Sequence, residues 1–171
     1  MQDLKVSVTE LLGRPGAHRR VSVAPTLESV RTDLCELRDE PVAADLTVES
    51  VVEGVLVTGP VHGLVLCRCA RCLEEFDTPI DVTLCELFAG PGHLEDEDVY
   101  RIAGEEIDLE PMLRDELTLA LPLNPLCRAD CKGLCASCGA DLNEGACDCT
   151  EETSDPRWAA LDAVRDKLET G

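Results

Sequence analysis

The sequence predicts an α+β protein: an antiparallel β-sheet core with one packed amphipathic helix, a C-terminal cysteine-rich zinc knuckle and a terminal helix. Three observations carry that prediction. Residues 41–66 are dense in Val and Thr and broken by Gly and Pro, which is strand composition with turn punctuation. Residues 108–121 repeat apolar side chains at helical spacing. Residues 127–149 hold six of the eleven cysteines, spaced C-x3-C-x3-C-x2-C-x8-C-x-C.

In chain order, Leu4 to Val8 alternates apolar and polar residues as a half-buried strand does. Glu10 to Leu12 fits a short helical turn that Gly13-Arg14-Pro15-Gly16 ends. Arg14, His18, Arg19 and Arg20 form the most basic patch, read either as a solvated loop or as a local contact to RNA or an acidic segment. Val21 to Val23 is a second short strand. Between Pro41 and Leu66, the breaks at Gly54, Gly59-Pro60 and Gly63 predict two or three antiparallel strands. The last runs from Val61 into Cys67. Thr78 to Leu87 is a further strand, so Cys67 to Asp77 connects two strands. Gly90 to Glu106 reads as an exposed loop. Asp108 caps the clearest helix, with Pro111 in its first turn. Leu109, Met112, Leu113, Leu117, Ala120 and Leu121 line one face of it. Pro122 and Pro125 end the helix. Glu151 to Asp155 is an acidic linker, and Pro156 opens a terminal helix striped by Trp158, Leu161, Val164 (or Arg165) and Leu168. The expected organisation is a core over residues 1–123, a zinc-binding module over 124–150, and a linker with helix over 151–171.

Composition restricts function. The chain of 171 residues is 44% hydrophobic but only 2% aromatic, so Val, Leu and Ile must build its core, and rings for stacking nucleic-acid bases are scarce. The formal charge of −20 repels phosphate backbones and favours basic partners. From Glu95 to Glu116, ten acidic residues face only Arg101 and Arg114, which makes this run the best docking surface for a basic partner. The first residues lack the apolar core of a signal peptide, and no run approaches membrane-spanning length, so a cytoplasmic protein is expected. In that setting, clustered cysteines read as metal ligands or redox groups rather than disulfides.

Structural zinc takes four soft ligands in a tetrahedron, and Cys-x2-Cys supplies two of them from one tight turn. Cys135-Ala-Ser-Cys138-Gly139 has that form, with Gly at a position that tends to need an unusual φ. Cys147 and Cys149 can complete it. Cys127 and Cys131 could replace that second pair, share a two-metal cluster, or reach across to Cys69 and Cys72 as a second site. One zinc ion is expected and two are permitted, each four-thiolate site adding a net −2; an iron–sulfur cluster has overlapping spacings. Cys67-x-Cys69-x2-Cys72 reads as a metal half-site or as turn-stabilising thiols, and Arg68 and Arg71 would favour their ionisation. Cys35 and Cys85 read as ordinary small side chains, Cys85 buried in a strand. His18, His62 and His93 lie far from the large cluster. With no phosphate loop or nucleophile motif present, the thiolate set reads as structural and closed, and no catalytic residue is assigned.

Three segments resemble a known family: Cys69-Ala-Arg-Cys72-Leu73 with Phe76; Glu106-Ile107-Asp108-Leu109 leading to Leu119-Ala120-Leu121-Pro122; and Cys127 to Cys149 with Gly133-Leu134-Cys135, Cys138-Gly139 and Leu142-Asn143, then Asp155-Pro156-Arg157. Arg14-Pro15-Gly16 is also familiar. The chain resembles the YceD family of bacterial and plastid proteins, named for large ribosomal RNA subunit accumulation. Cys67 is extra to the family pattern. The resemblance implies a cytoplasmic, non-enzymatic factor in synthesis, processing or accumulation of large-subunit ribosomal RNA. Its partners would be a large-subunit precursor or a basic ribosomal protein, with any RNA contact local. An escort for a basic ribosomal protein, and a thiol or iron–sulfur redox sensor or enzyme, are the competing readings.

Overall fold

A computed structural model of the chain describes residues 4–90, 99–149 and 161. Seven strands and one helix follow in order: β1 (Lys5–Ser7), β2 (His18–Val23), β3 (Cys35–Leu37), β4 (Ala43–Ser50), β5 (Gly54–Arg68), β6 (Glu75–Ala89), β7 (Glu106–Asp108) and α1 (Leu109–Ala120). The α+β class is as the sequence predicts: a mostly antiparallel sheet with one helix.

The long β5–β6 hairpin is the spine. Its ladder runs without a break from Gly54 opposite Ala89 to Arg68 opposite Glu75. On its other edge β5 pairs first with β4 and then with β3, and β2 extends the sheet beyond β4. Alternate residues point to opposite faces. Val55, Val57, Val61, Val65 and Cys67 therefore face inward and are fully buried, while Leu56, Thr58, Pro60 and His62 face out. The inner face is closed by α1, whose Leu109, Met112, Leu113 and Leu117 are buried. Leu4, Val6 and Val8 close it further, held by the small β1–β7 sheet. The outer face carries cross-strand polar pairs, a hydrogen bond of His62 with Asp81 at 2.6 Å and an ion pair of Arg68 with Glu75 at 3.1 Å.

Helix α1 starts as its sequence dictates, with the Asp108 carboxylate accepting from the Glu110 N–H. Of the expected stripe, Ala120 is exposed and Leu121 buried, because the last turn opens at Leu121, whose φ and ψ are −59° and 135°. The segment after 98 is not a plain exposed loop: Tyr100 stacks on Phe88 at 5.4 Å and donates to Asp115 on α1 at 2.9 Å.

Several expectations need correction. Gly59-Pro60 and Gly63 do not end strands; β5 passes through all three. The β4–β5 register skips the pairing of Gly59 and Pro60. There Pro60 has no N–H to offer, and the backbones approach so closely that a Cβ on Gly59 would sit 2.2 Å from the Asp45 carbonyl oxygen. Cys85 is exposed, since it shares the outer face with Thr58 opposite. Cys35 is buried but not an ordinary thiol. It faces Cys67 directly across β3 and β5, with Cα atoms 4.2 Å apart, and the two form a disulfide. The terminal linker and helix lie outside the described residues, apart from Leu161.

Replacing Leu117 by Ala should destabilise the fold by about 3 kcal/mol, because a fully buried side chain in a closed layer leaves a cavity. Urea unfolding of the purified chain measures this.

Candidate metal centre

The β5–β6 hairpin ends in the turn Cys69-Ala-Arg-Cys72. The Arg71 N–H points at the Cys69 sulfur at 3.5 Å, and the Leu73 N–H donates to the Cys69 carbonyl at 2.9 Å. Leu73 sits at φ 63°. A left-handed conformation costs a branched residue about 1–2 kcal/mol. Chain leaving α1 returns to this turn, where the Ala70 N–H donates to Pro125 at 2.8 Å. That contact delivers Cys127 and Cys131. The Cys69 and Cys131 sulfurs are 3.8 Å apart, and those of Cys72 and Cys127 are 3.6 Å apart. All four lie within 4.8 Å of one another. A tetrahedron with about 2.3 Å metal–sulfur bonds has edges of about 3.8 Å, whereas a disulfide would need about 2.05 Å. The cage is largely closed, with Cys69, Cys72 and Cys131 buried beside Phe76, Leu126 and Leu134.

A second group repeats this design. In Cys135-Ala-Ser-Cys138 the Ser137 N–H points at the Cys135 sulfur at 3.4 Å, and the Gly139 N–H donates to the Cys135 carbonyl at 2.9 Å. Gly139 has φ 75°, so it occupies the position that Leu73 holds in the first turn. Cys147 and Cys149 complete a four-sulfur group, again within 4.8 Å. The two groups are joined by backbone. Leu134 donates to the Arg71 carbonyl at 3.1 Å, and a Cβ on Gly133 (φ 76°) would lie 3.0 Å from that oxygen. The Arg71 guanidinium donates to the Cys131 carbonyl at 2.7 Å. Asn143, within the second module, accepts from the Lys132 N–H at 2.8 Å and points its amide at the Cys131 sulfur at 3.5 Å.

A family model described as "Large ribosomal RNA subunit accumulation protein YceD" matches residues 57–165, most of the hairpin and all eight of these cysteines. The chain belongs to the YceD family. A Mycobacterium tuberculosis protein described as uncharacterized is 40% identical over 171 aligned positions, covering 92% of this chain and 79% of its own. A chloroplastic Arabidopsis thaliana protein, named large ribosomal RNA subunit accumulation protein YCED homolog 1, is 35% identical over 65 residues, 38% of this chain and 20% of its own. The Bacillus subtilis protein YlbN is 28% identical over 107 residues, covering 61% of this chain and 62% of its own. No solved structure matches.

In this YceD chain both groups have the chemistry of metal donors. Burial opposes ionisation of Cys69, but the N–H groups of Cys127, Cys72 and Arg71 outweigh it and bring its pKa down to about 6. The N–H groups of Cys138 and Ser137 hold Cys135 at about 6. Their neighbours go the other way. Burial, then the adjacent sulfurs of Cys72, Cys69 and Cys131, push Cys127 up to about 12. The sulfurs of Cys138 and Cys135 push Cys149 to about 12. Four thiols at one point resist full ionisation together, and a divalent cation relieves that repulsion. Either group could hold such an ion.

The structure thus brings Cys127 and Cys131 to Cys69 and Cys72, one of three arrangements the spacing allows. Cys135 and Cys138 stand with Cys147 and Cys149. Cys67 belongs to neither group. Ionisation of Cys69 is favoured by the backbone of Arg71 rather than by its guanidinium. His18 and His62 sit on the sheet, and His93 lies outside the described residues. Sequence reasoning missed Asn143; its signal was an amide within the cysteine-rich segment, readable only once the turn at Asp141 is formed.

Replacing Asn143 by Ala should weaken metal retention by the Cys69, Cys72, Cys127 and Cys131 group about tenfold, as removal of an outer partner of a ligand does. Competition against a chromophoric chelator measures it, with the group of Cys135 nearer to unchanged.

Proposed function

We propose that this chain is a non-enzymatic zinc-binding factor in ribosome biogenesis, supporting synthesis, processing or accumulation of large-subunit ribosomal RNA. The observation that carries the metal half is the pair of four-sulfur groups, the sulfurs of each within 4.8 Å of one another. Zinc is the ion of choice, because all-thiolate, closed, four-coordinate cages are its structural form. It would take Cys69, Cys72, Cys127 and Cys131 in one site and Cys135, Cys138, Cys147 and Cys149 in the other. The biogenesis half is supported by the family description and by the named plastid relatives.

On this reading, residues 1–123 form the scaffold, 124–150 the zinc-binding module, and 151–171 a linker with an amphipathic helix. Zinc supplies no reaction here; it fixes two distant segments and shapes the surface that a large-subunit precursor or basic ribosomal protein meets. A cytoplasmic location follows from the role, and no helix among the described residues is long and apolar enough to cross a membrane. The charge of −20 supports a second reading, an escort for a basic ribosomal protein through the acidic run from Glu95 to Glu116. A salt-sensitive one-to-one complex abolished by charge reversal at Glu95 to Asp98 would favour it. A redox sensor would instead need a reactive thiol in the metal-loaded chain, which thiol labelling detects.

Elemental analysis of the purified chain should find two zinc ions. Cys69→Ser with Cys72→Ser, and Cys135→Ser with Cys138→Ser, should each remove one. Depletion should lower large-subunit RNA relative to small-subunit RNA, and neither double variant should restore it fully. Unchanged ribosome profiles on depletion would refute the biogenesis role.

A further inference from the structure

The basic patch of this acidic chain is used by neither metal group and lies before the residues the family model matches. It falls on β2 and the turn before it; among the described residues β2 is an edge strand paired only with β4. Residues 13–23 contain Arg14, Arg19 and Arg20 and no acid. All three arginines are exposed, as is His18. Among the described residues none of the three pairs with a carboxylate. Five other arginines have partners: Arg38 with Asp77, Arg68 with Glu75, Arg114 with Glu110, Arg128 with Asp130, and Arg71 with the Cys131 carbonyl; Arg31 is exposed like the patch but stands alone on its own bridge to Glu36. In a chain with such an acid excess, three guanidiniums gathered along one short stretch with no carboxylate partner among the described residues suit an outside anion.

The placement suits a linear polyanion. Successive strand residues point to opposite faces, so His18 and Arg20 stand on the outer side of the edge and Arg19 on the inner side. Arg14 joins them through the turn in which Ala17 donates to the Arg14 carbonyl at 2.9 Å. Gly16 and Ala17 are pinned to Ser50 by 2.8 Å bonds. The edge is flanked by cations on both sides. Guanidinium is the planar fork that grips phosphate oxygens two at a time. Beside Arg20, an open groove is lined by Ser22, Asp45, Leu46 and Thr47, and Ser22 donates to Asp45 at 2.6 Å. Asp45 can accept from a ribose 2′-hydroxyl, the group that separates RNA from DNA. Glu49, opposite His18, is the acid nearest in register and limits how far a strand can spread toward β4. The remaining acidic surface is screened beyond about 8 Å at physiological salt, so the local field decides the contact.

We propose that the β2 edge, through Arg14, Arg19 and Arg20, grips the sugar–phosphate backbone of an RNA strand, with Asp45 reading the 2′-hydroxyl. The choice of RNA rests on the biogenesis reading; the anion site rests on the edge itself.

The test uses the zinc-loaded full chain and a fluorescein-labelled RNA of about 20 nucleotides, followed by anisotropy across a salt series. The same DNA sequence and a polyaspartate peptide serve as competitors. The triple variant R14E/R19E/R20E should bind the RNA at least tenfold more weakly and flatten the log–log salt slope by about 2, since each single-strand phosphate contact contributes about 0.7. R38E, which breaks a pair elsewhere on the sheet, should bind like the wild type. D45N should bring RNA and DNA affinities together. If the triple variant unfolds by circular dichroism, R20Q alone should still flatten the slope by roughly 0.7. Absence of RNA binding by the wild type, an unchanged slope in the variants, or displacement by polyaspartate better than by RNA would overturn the proposal. A wild-type chain that restores large-subunit RNA in depleted cells yet binds no RNA would sink this inference alone. RNA binding without any effect of depletion would sink the biogenesis reading instead.

Discussion

The structure depends on one meeting of sulfur atoms. Cys69 and Cys72 close the long hairpin, and Cys127 and Cys131 arrive after the helix, from 55 or more residues away. Their meeting decides where the chain goes after α1. The Pro125 contact with Ala70 helps aim residues 127–149 at the hairpin tip, together with the bonds of Arg71 to Leu134 and Cys131. The second knuckle has half-exposed and exposed cysteines and little core of its own, so it takes its position from the first. Gly133, Arg71 and Asn143 transmit that position through short polar contacts rather than through buried apolar area.

This arrangement also explains the local conformations. Both Cys-x2-Cys turns aim a backbone N–H at the first sulfur and then need a left-handed residue. Gly139 meets that need without strain. Leu73 meets it with strain while standing 54% exposed, a combination that packing does not reward. The cations around the first cage, Arg71 and Lys132, offset part of the charge that four thiolates would bring. The β2 arginines stand apart from that task, on the opposite edge of the sheet.

The legible parts of the sequence were those governed by local rules. Asp108 and the stripe through Leu117 defined the helix, and Cys135-x2-Cys138 declared a sulfur-donor turn. What stayed hidden depends on register. Gly59-Pro60 reads as a turn, and only the skipped β4 pairing shows how a strand survives there. β3 is three residues long and has no periodicity to detect. The pairing of Cys35 with Cys67 exists because β3 lies beside β5, which no spacing reveals. Likewise, the choice among three partners for Cys127 and Cys131 is made by the length of α1 and the Pro125 contact. Both cysteines of the disulfide are buried, which shields the bond from exchange with solution thiols.

The most direct test is X-ray absorption at the zinc edge on the purified, metal-loaded chain. Zinc bound by four thiolates in each group predicts a single shell of four sulfur neighbours at about 2.3 Å, with no nitrogen or oxygen contribution. A shell with nitrogen or oxygen ligands, an open position, or an iron edge with short iron–iron distances would contradict the account.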